Sequence, residues 1–172
     1  MENEMKKPAV GHRKIKWHND LDTGIELIDK QHKEFIRLVN CLLDDSIKDG
    51  DGHILKDAFL FLKYYVCEHF GAEEAFMVEY KYLHYAQHKT RHLYFRSELD
   101  RLSGLHLSGS ISDREVALKL NYLTTNWFLN HIKTEDRTFC NFLLEKAGND
   151  KKGLLGKLRI LVKGFFKTVK RK

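Results

Sequence analysis

Apolar positions recur along this chain at intervals of three and four, the spacing that places side chains on one face of a helix. From about Ile25 to Ile47 the series is Ile25, Ile28, Phe35, Ile36, Val39 and Leu42/Leu43, with His32 on the same face, and the turn-rich KDGDG at 48–52 stops it. A second helix is predicted from about Ile54 to Tyr80, carrying Phe59, Leu62, Val66, Phe70 and Met77; Gly71 inside it costs only about 1 kcal/mol against alanine. A short link near Tyr80–Tyr82 leads to a third helix through about Leu102, and SGLHLSGS at 103–110 reads as a loop. Ser112 can cap the amide of Glu115 and start a fourth helix that runs to about Lys146. Four long amphipathic segments with short connections predict an all-α, up-down-up-down four-helix bundle over residues 21–150. Residues 1–20 read as an irregular N-terminal arm, interrupted by Pro8 and Gly11, whose Trp17 is expected to bury its ring against the bundle.

Composition agrees with one domain: 172 residues, 42% hydrophobic, with eleven glycines and a single proline, favour helices over strands and turns. Charge changes the picture only when it is divided along the chain. Residues 151–172 carry nine Lys/Arg and no acids, which exceeds the net +6 and leaves the first 150 residues at −3. A slightly acidic body argues against nucleic acid as a partner. The tail places Leu154, Leu158, Leu161/Val162, Phe165 and Val169 along one stripe, a basic amphipathic helix although Gly153, Gly156 and Gly164 weaken it. It could rest on an anionic membrane surface, bind an acidic protein partner, or dock on the bundle as a fifth helix. Cys41, Cys67 and Cys140 are far apart and odd in number, so neither a disulfide framework nor a thiolate zinc site is indicated. With no signal-peptide core and no membrane-length apolar run, the expectation is a soluble cytoplasmic protein, the tail being its one means of resting peripherally on an inner membrane.

Histidine carries the chemistry. Within His69–His92 lie His69-x3-Glu73 and His88-x3-His92, two ligand-type pairs at i,i+4. The first helix adds His32 and the fourth adds His131 with a nearby acid. A turn near Tyr80–Lys81 would set Glu73 level with about His88 and His69 level with His92, while His84, in the first turn after the link, stays a bystander. Five imidazoles and the carboxylates exceed the needs of one tetrahedral zinc and are too rich in nitrogen for magnesium or calcium. Two transition-metal ions sharing carboxylates, iron being the expected occupant, would use them all. Phosphate loops, dinucleotide fingerprints and nucleophile elbows are absent from the sequence.

IKWHNDLDTGIELIDKQHKEF, HFGAEEAFM, HYAQHKTRHLYF and NWFLNHIKTED together resemble the hemerythrins, particularly the bacterial single-domain members, over residues 15 to about 147. The resemblance implies two irons, one held by His88, His92 and His131 and the other by His32 and His69, bridged by Glu73, Asp136 and a solvent-derived oxo or hydroxo oxygen. It further implies reversible O2 binding at the two-histidine iron, in a pocket formed by Phe70, Trp127, Phe128 and Ile132. Phe128 stands where the family often has leucine. His131 and Asp136 are five residues apart, about 140° around an ideal helix, and Glu135 would share the face of His131 better. The resemblance selects Asp136, accommodated by its shorter side chain or a local bulge, with Glu135 the alternative bridge. A histidine-dominated donor set favours binding O2 over activating it, so oxygen storage, transport or sequestration is expected rather than catalysis. An O2 or redox sensor acting through the tail is the alternative. Behind both stands a di-iron oxidase, peroxidase or nitric-oxide-handling enzyme.

Overall fold

The computed structural model describes residues 14–49 and 52–161, and among them every regular element is a helix. Helix α1 spans Glu26–Asp49. Helix α2 runs over 52–79, and a five-residue π segment, Val66–Phe70, divides it. Helix α3 is Tyr85–Ser108. Helix α4 runs over 113–147 with two π segments, Leu123–Phe128 and Ile132–Asp136. A fifth helix, α5, covers Lys151–Leu161. Helix α1 packs against α2 and α4, and α3 packs against the same two, which is the square of an up-down-up-down bundle.

Two turns fix this arrangement. The α2–α3 link closes with Tyr82 N–H donating to Met77 O (2.8 Å) and Lys81 N–H to Val78 O (3.2 Å), and Lys81 takes the left-handed conformation (φ 55°) that such a helix end requires. Ser112 accepts from Glu115 N–H at 3.2 Å, the expected cap of α4. One predicted loop is corrected: 103–108 is helical. Gly104 weakens it, but buried Leu102 and Ser103 and half-buried Leu105 hold the last turns against the core, and α3 stops only at Gly109 (φ +63°).

The arm is tied down more firmly than its polarity implies. Ile15 is buried, its N–H donates to Asn40 Oδ1 (2.9 Å), and Asn40 Nδ2 returns a bond to Ile15 O (2.7 Å). Residues 1–13, which include Pro8 and Gly11, lie outside the described residues. At the other terminus, Leu154 and Leu158 are 2% and 3% exposed and pack with Ile25, Ile28, Phe139 and Leu143. Lys157 Nζ reaches Glu79 Oε1 at 2.5 Å. The tail therefore docks as a fifth helix over 151–161, and those two leucines are not open to a membrane or a partner. Gly164, Val162, Phe165 and Val169 lie outside the described residues. Among the described residues no helix is long and apolar enough to cross a membrane.

The core falls into two parts. One gathers Phe35, Leu43, Leu55, Tyr65, Phe95, Leu99 and Leu120; the other holds Ile25, Ile28, Phe76, Met77, Tyr82, Phe139 and Leu143 under α5. On each of the four bundle helices, a stretch of buried polar residues separates the part of the chain that feeds one core from the part that feeds the other.

Candidate metal centre

Those buried polar residues are His32 on α1, His69 and Glu73 on α2, His88 and His92 on α3, and His131 and Asp136 on α4, none more than 4% exposed. Local chain geometry aims each of them inward. Asp29 Oδ1 accepts from both the N–H (2.9 Å) and the hydroxyl (2.8 Å) of Thr23, fixing the entry of α1 one turn before His32. The i,i+4 spacing of the α2 and α3 pairs needs only a regular helical turn. On α4 the Ile132–Asp136 segment is π-wound, and i→i+5 bonding brings residues five apart onto one face. Asp136 consequently points into the cluster beside His131, fully buried. Glu135 turns to the edge, 3.8 Å from Arg91 Nε.

Donor-type atoms of Glu73, His88, His92, His131 and Asp136 all lie within 4.8 Å of one another, and so do those of His32, His69, Glu73 and Asp136. The two groups share both carboxylates, and each carboxylate divides its oxygens between them. Glu73 Oε1 lies 3.5 Å from His69 Nε2, while Oε2 lies 3.3 Å from His92 Nε2 and 3.9 Å from His88 Nε2. Asp136 Oδ1 is 3.0 Å from His131 Nε2 and 3.3 Å from His88 Nε2, and Oδ2 is 3.3 Å from His32 Nε2. Glu73 reaches both α3 histidines, His92 more closely than His88, and His69 meets His32 at 3.1 Å. The link between α2 and α3 runs from Tyr80 through His84. His84 is exposed and outside both groups.

Outer partners set the imidazole tautomers. His69 Nδ1–H donates to Gln31 Oε1 (3.2 Å) and His92 Nδ1–H to Glu74 Oε1 (3.1 Å), so each Nε2 lone pair faces the cluster. Inside, Nε2 atoms of His88 and His92 each approach that of His131 to 3.1 Å, and all four oxygens of Glu73 and Asp136 lack a hydrogen-bond partner. Buried acceptors crowded on acceptors are costly unless a cation lies among them. The donor set, nitrogen-rich with bridging-type carboxylates and no thiolate, fits transition-metal ions.

Electrostatics follow from that crowding. Burial holds the His69 imidazole well below its ordinary pKa, with neighbouring His32 adding to the effect. His92 is lowered to about 3, chiefly by burial against the opposing bond to Glu74, and burial lowers His131 despite Asp136. Burial, then the charges of Asp136 and Glu74, pushes Glu73 well above the carboxylate range. Burial thus keeps His69, His92 and His131 proton-free and able to donate to a metal at neutral pH, while Glu73 lacks the countercharge that would hold it ionised.

Aromatic rings wall the cluster. Phe70 stacks on His92 (3.8 Å between centroids, 5°), Trp127 on His131 (4.4 Å, 14°), and Phe128 meets His32 edge-on at 5.6 Å. Ile132 is fully buried in the adjoining core. Trp17 is half-buried, and its ring stacks 6.4 Å from that of His32. Sequence reasoning overlooked Tyr65, whose buried ring lies 4.8 Å from His69, together with Gln31 and Glu74. Tyr65 stands four residues before His69 and could have been found by that spacing; the other two reach the histidines from faces that carry no ligand pattern.

The family model described as the Hemerythrin HHE cation binding domain matches residues 23–143. A bacteriohemerythrin of Pseudomonas paraeruginosa is 31% identical over 120 residues, 70% of this chain and 75% of that protein. Bacteriohemerythrins of Stenotrophomonas maltophilia and Clostridium acetobutylicum are 27% and 24% identical, covering 73% and 72% of this chain and 78% and 96% of their own lengths.

Proposed function

The chain belongs to the hemerythrin family, and on that premise we propose that it binds O2 reversibly at two non-haem irons, for oxygen storage, delivery or sequestration in a reducing cytoplasm. His88, His92 and His131 would hold one iron and His32 and His69 the other, with Glu73 and Asp136 shared. The observation that carries this reading is the division of both carboxylates, one oxygen toward each histidine group. Bound there, the irons would supply the electrons that O2 takes on binding and returns on release. The protein's own part is to hold and to shield. Gln31 and Glu74 keep the His69 and His92 lone pairs aimed inward. Phe70, Trp127, Phe128 and Ile132 exclude water, which hinders protons from reaching a bound ligand and so favours its release unchanged. Three free cysteines, two of them exposed, suit a reducing compartment.

The test is anaerobic loading with ferrous iron followed by O2 titration under visible absorption. Two irons per chain and an O2-dependent charge-transfer band that disappears on deoxygenation are expected. Irreversible bleaching, or turnover of a reductant, would replace carriage with catalysis.

A further inference from the structure

Glu74 follows Glu73 in sequence but serves the opposite side of the site. Its Oε1 accepts from His92 Nδ1–H at 3.1 Å, and Arg96 Nη2 (3.5 Å) and Lys89 Nζ (3.7 Å) lie farther off. Arg96 also donates to Val66 O (3.5 Å), the first residue of the α2 π segment, and its guanidinium lies 5.8 Å over Phe70. Phe70 in turn stacks on His92. His92 is therefore fixed along its Nδ1 edge by a carboxylate and across its face by a ring, and one arginine braces both. His69, in the other group, has only the neutral amide of Gln31 behind Nδ1, and Nδ1 of His32 and of His88 has no hydrogen-bond partner among the described residues.

We propose that Glu74 is a positioning residue that makes the three-histidine group the tighter of the two and the first to take a divalent cation. The inference rests on the two-metal reading above. Glu74 and Gln31 select the same tautomer, so both spare their histidine the cost of choosing one. They differ by a unit of negative charge, which strengthens His92 as an electron-pair donor and leaves His69 without that help. Filling is then ordered by the outer partners as well as by the number of histidines.

The metal-free, full-length protein titrated with Zn(II), a redox-silent probe, in calorimetric competition with a chelator gives the two binding steps separately. Glu74→Ala is expected to weaken the tighter step about 10- to 100-fold. Glu74→Gln, which keeps an acceptor and the side chain's shape but loses the charge, should fall between it and the wild type. The weaker step should stay unchanged in both. Ring 15N shifts of His92 in the metal-free protein should show the Nδ1–H tautomer in the wild type and in Glu74→Gln, and a mixture in Glu74→Ala. An unchanged tighter step, or equal weakening of both, overturns the proposal. Fewer than two Zn(II) per wild-type chain would instead overturn the two-metal reading beneath it.

Discussion

Replacing Glu73 by glutamine should make the metal-free protein more stable while making the metal less able to stabilise it. Both Glu73 oxygens are buried without a hydrogen-bond partner, and burial with the charges of Asp136 and Glu74 raises the carboxyl well above its ordinary value of 4.5. A carboxyl raised in the fold contributes its full stability below the unfolded-state pKa and loses it as pH rises. As pH rises past 4.5 the buried carboxyl must hold a proton the unfolded chain has lost or be ionised without a partner, and leaving such a buried group unsatisfied costs about 1–3 kcal/mol. Glutamine has no proton to release, and its amide can donate to the surrounding Nε2 lone pairs. At about 2–4 °C per kcal/mol for a chain of this size, the variant should melt about 2–12 °C higher at pH 6.5. By pH 4 the two should nearly coincide. With Zn(II) the order should reverse, because the amide offers no anionic oxygen to either group. The assay is thermal unfolding by circular dichroism, with chelator and with metal, at both pH values. A metal-free variant no more stable than the wild type at pH 6.5 would show that the fold satisfies the Glu73 carboxylate itself, and a gain that persists at pH 4 would show that it does not come from the carboxyl's ionisation.

Asp136→Asn should lower the metal bound per chain, measured by atomic absorption after reconstitution, whereas Glu135→Gln should leave it unchanged and cost less than about 1 kcal/mol for its distant pair with Arg91; the opposite pattern would return the bridge to Glu135. Leu158→Ala should destabilise the protein by about 2–5 kcal/mol in urea and open the Lys151–Lys152 segment to trypsin; resistance equal to wild type would mean that α5 adds little to the fold. Lys81→Gly should raise stability by about 0.5–1 kcal/mol, since a left-handed non-glycine residue costs about 1–2 kcal/mol and glycine's unfolded-state freedom returns part of that. A lower denaturant midpoint would place the benefit of Lys81 in its side chain.

The helices and the inward histidines were legible because both rest on one period: an apolar or ligand residue every three to four positions must share a face. Ser112 announced its helix for the same kind of local reason, a side-chain oxygen three residues from an open amide. What escaped depends on deviations from that period or on contacts across helices. Sequence reasoning left a shorter side chain or a local bulge to reconcile His131 with Asp136, and nothing in KTED prescribes the π winding found there. The 103–108 segment looks like a loop by composition and is a helix because Leu102 and Leu105 find the core. Glu74 and Gln31 act on the backs of imidazoles belonging to other helices, so no spacing within their own helix reveals them.

The placement of the aromatic rings has an optical consequence. The chain has only two tryptophans, and they are shared out between the histidine groups: Trp17 stacks near His32, Trp127 on His131. Each half of the cluster thus carries its own fluorophore, close enough for a paramagnetic ion in that half to quench it first. Trp17→Phe and Trp127→Phe chains would each leave one lamp burning, and the emission of each would follow the occupancy of a single half as metal is added.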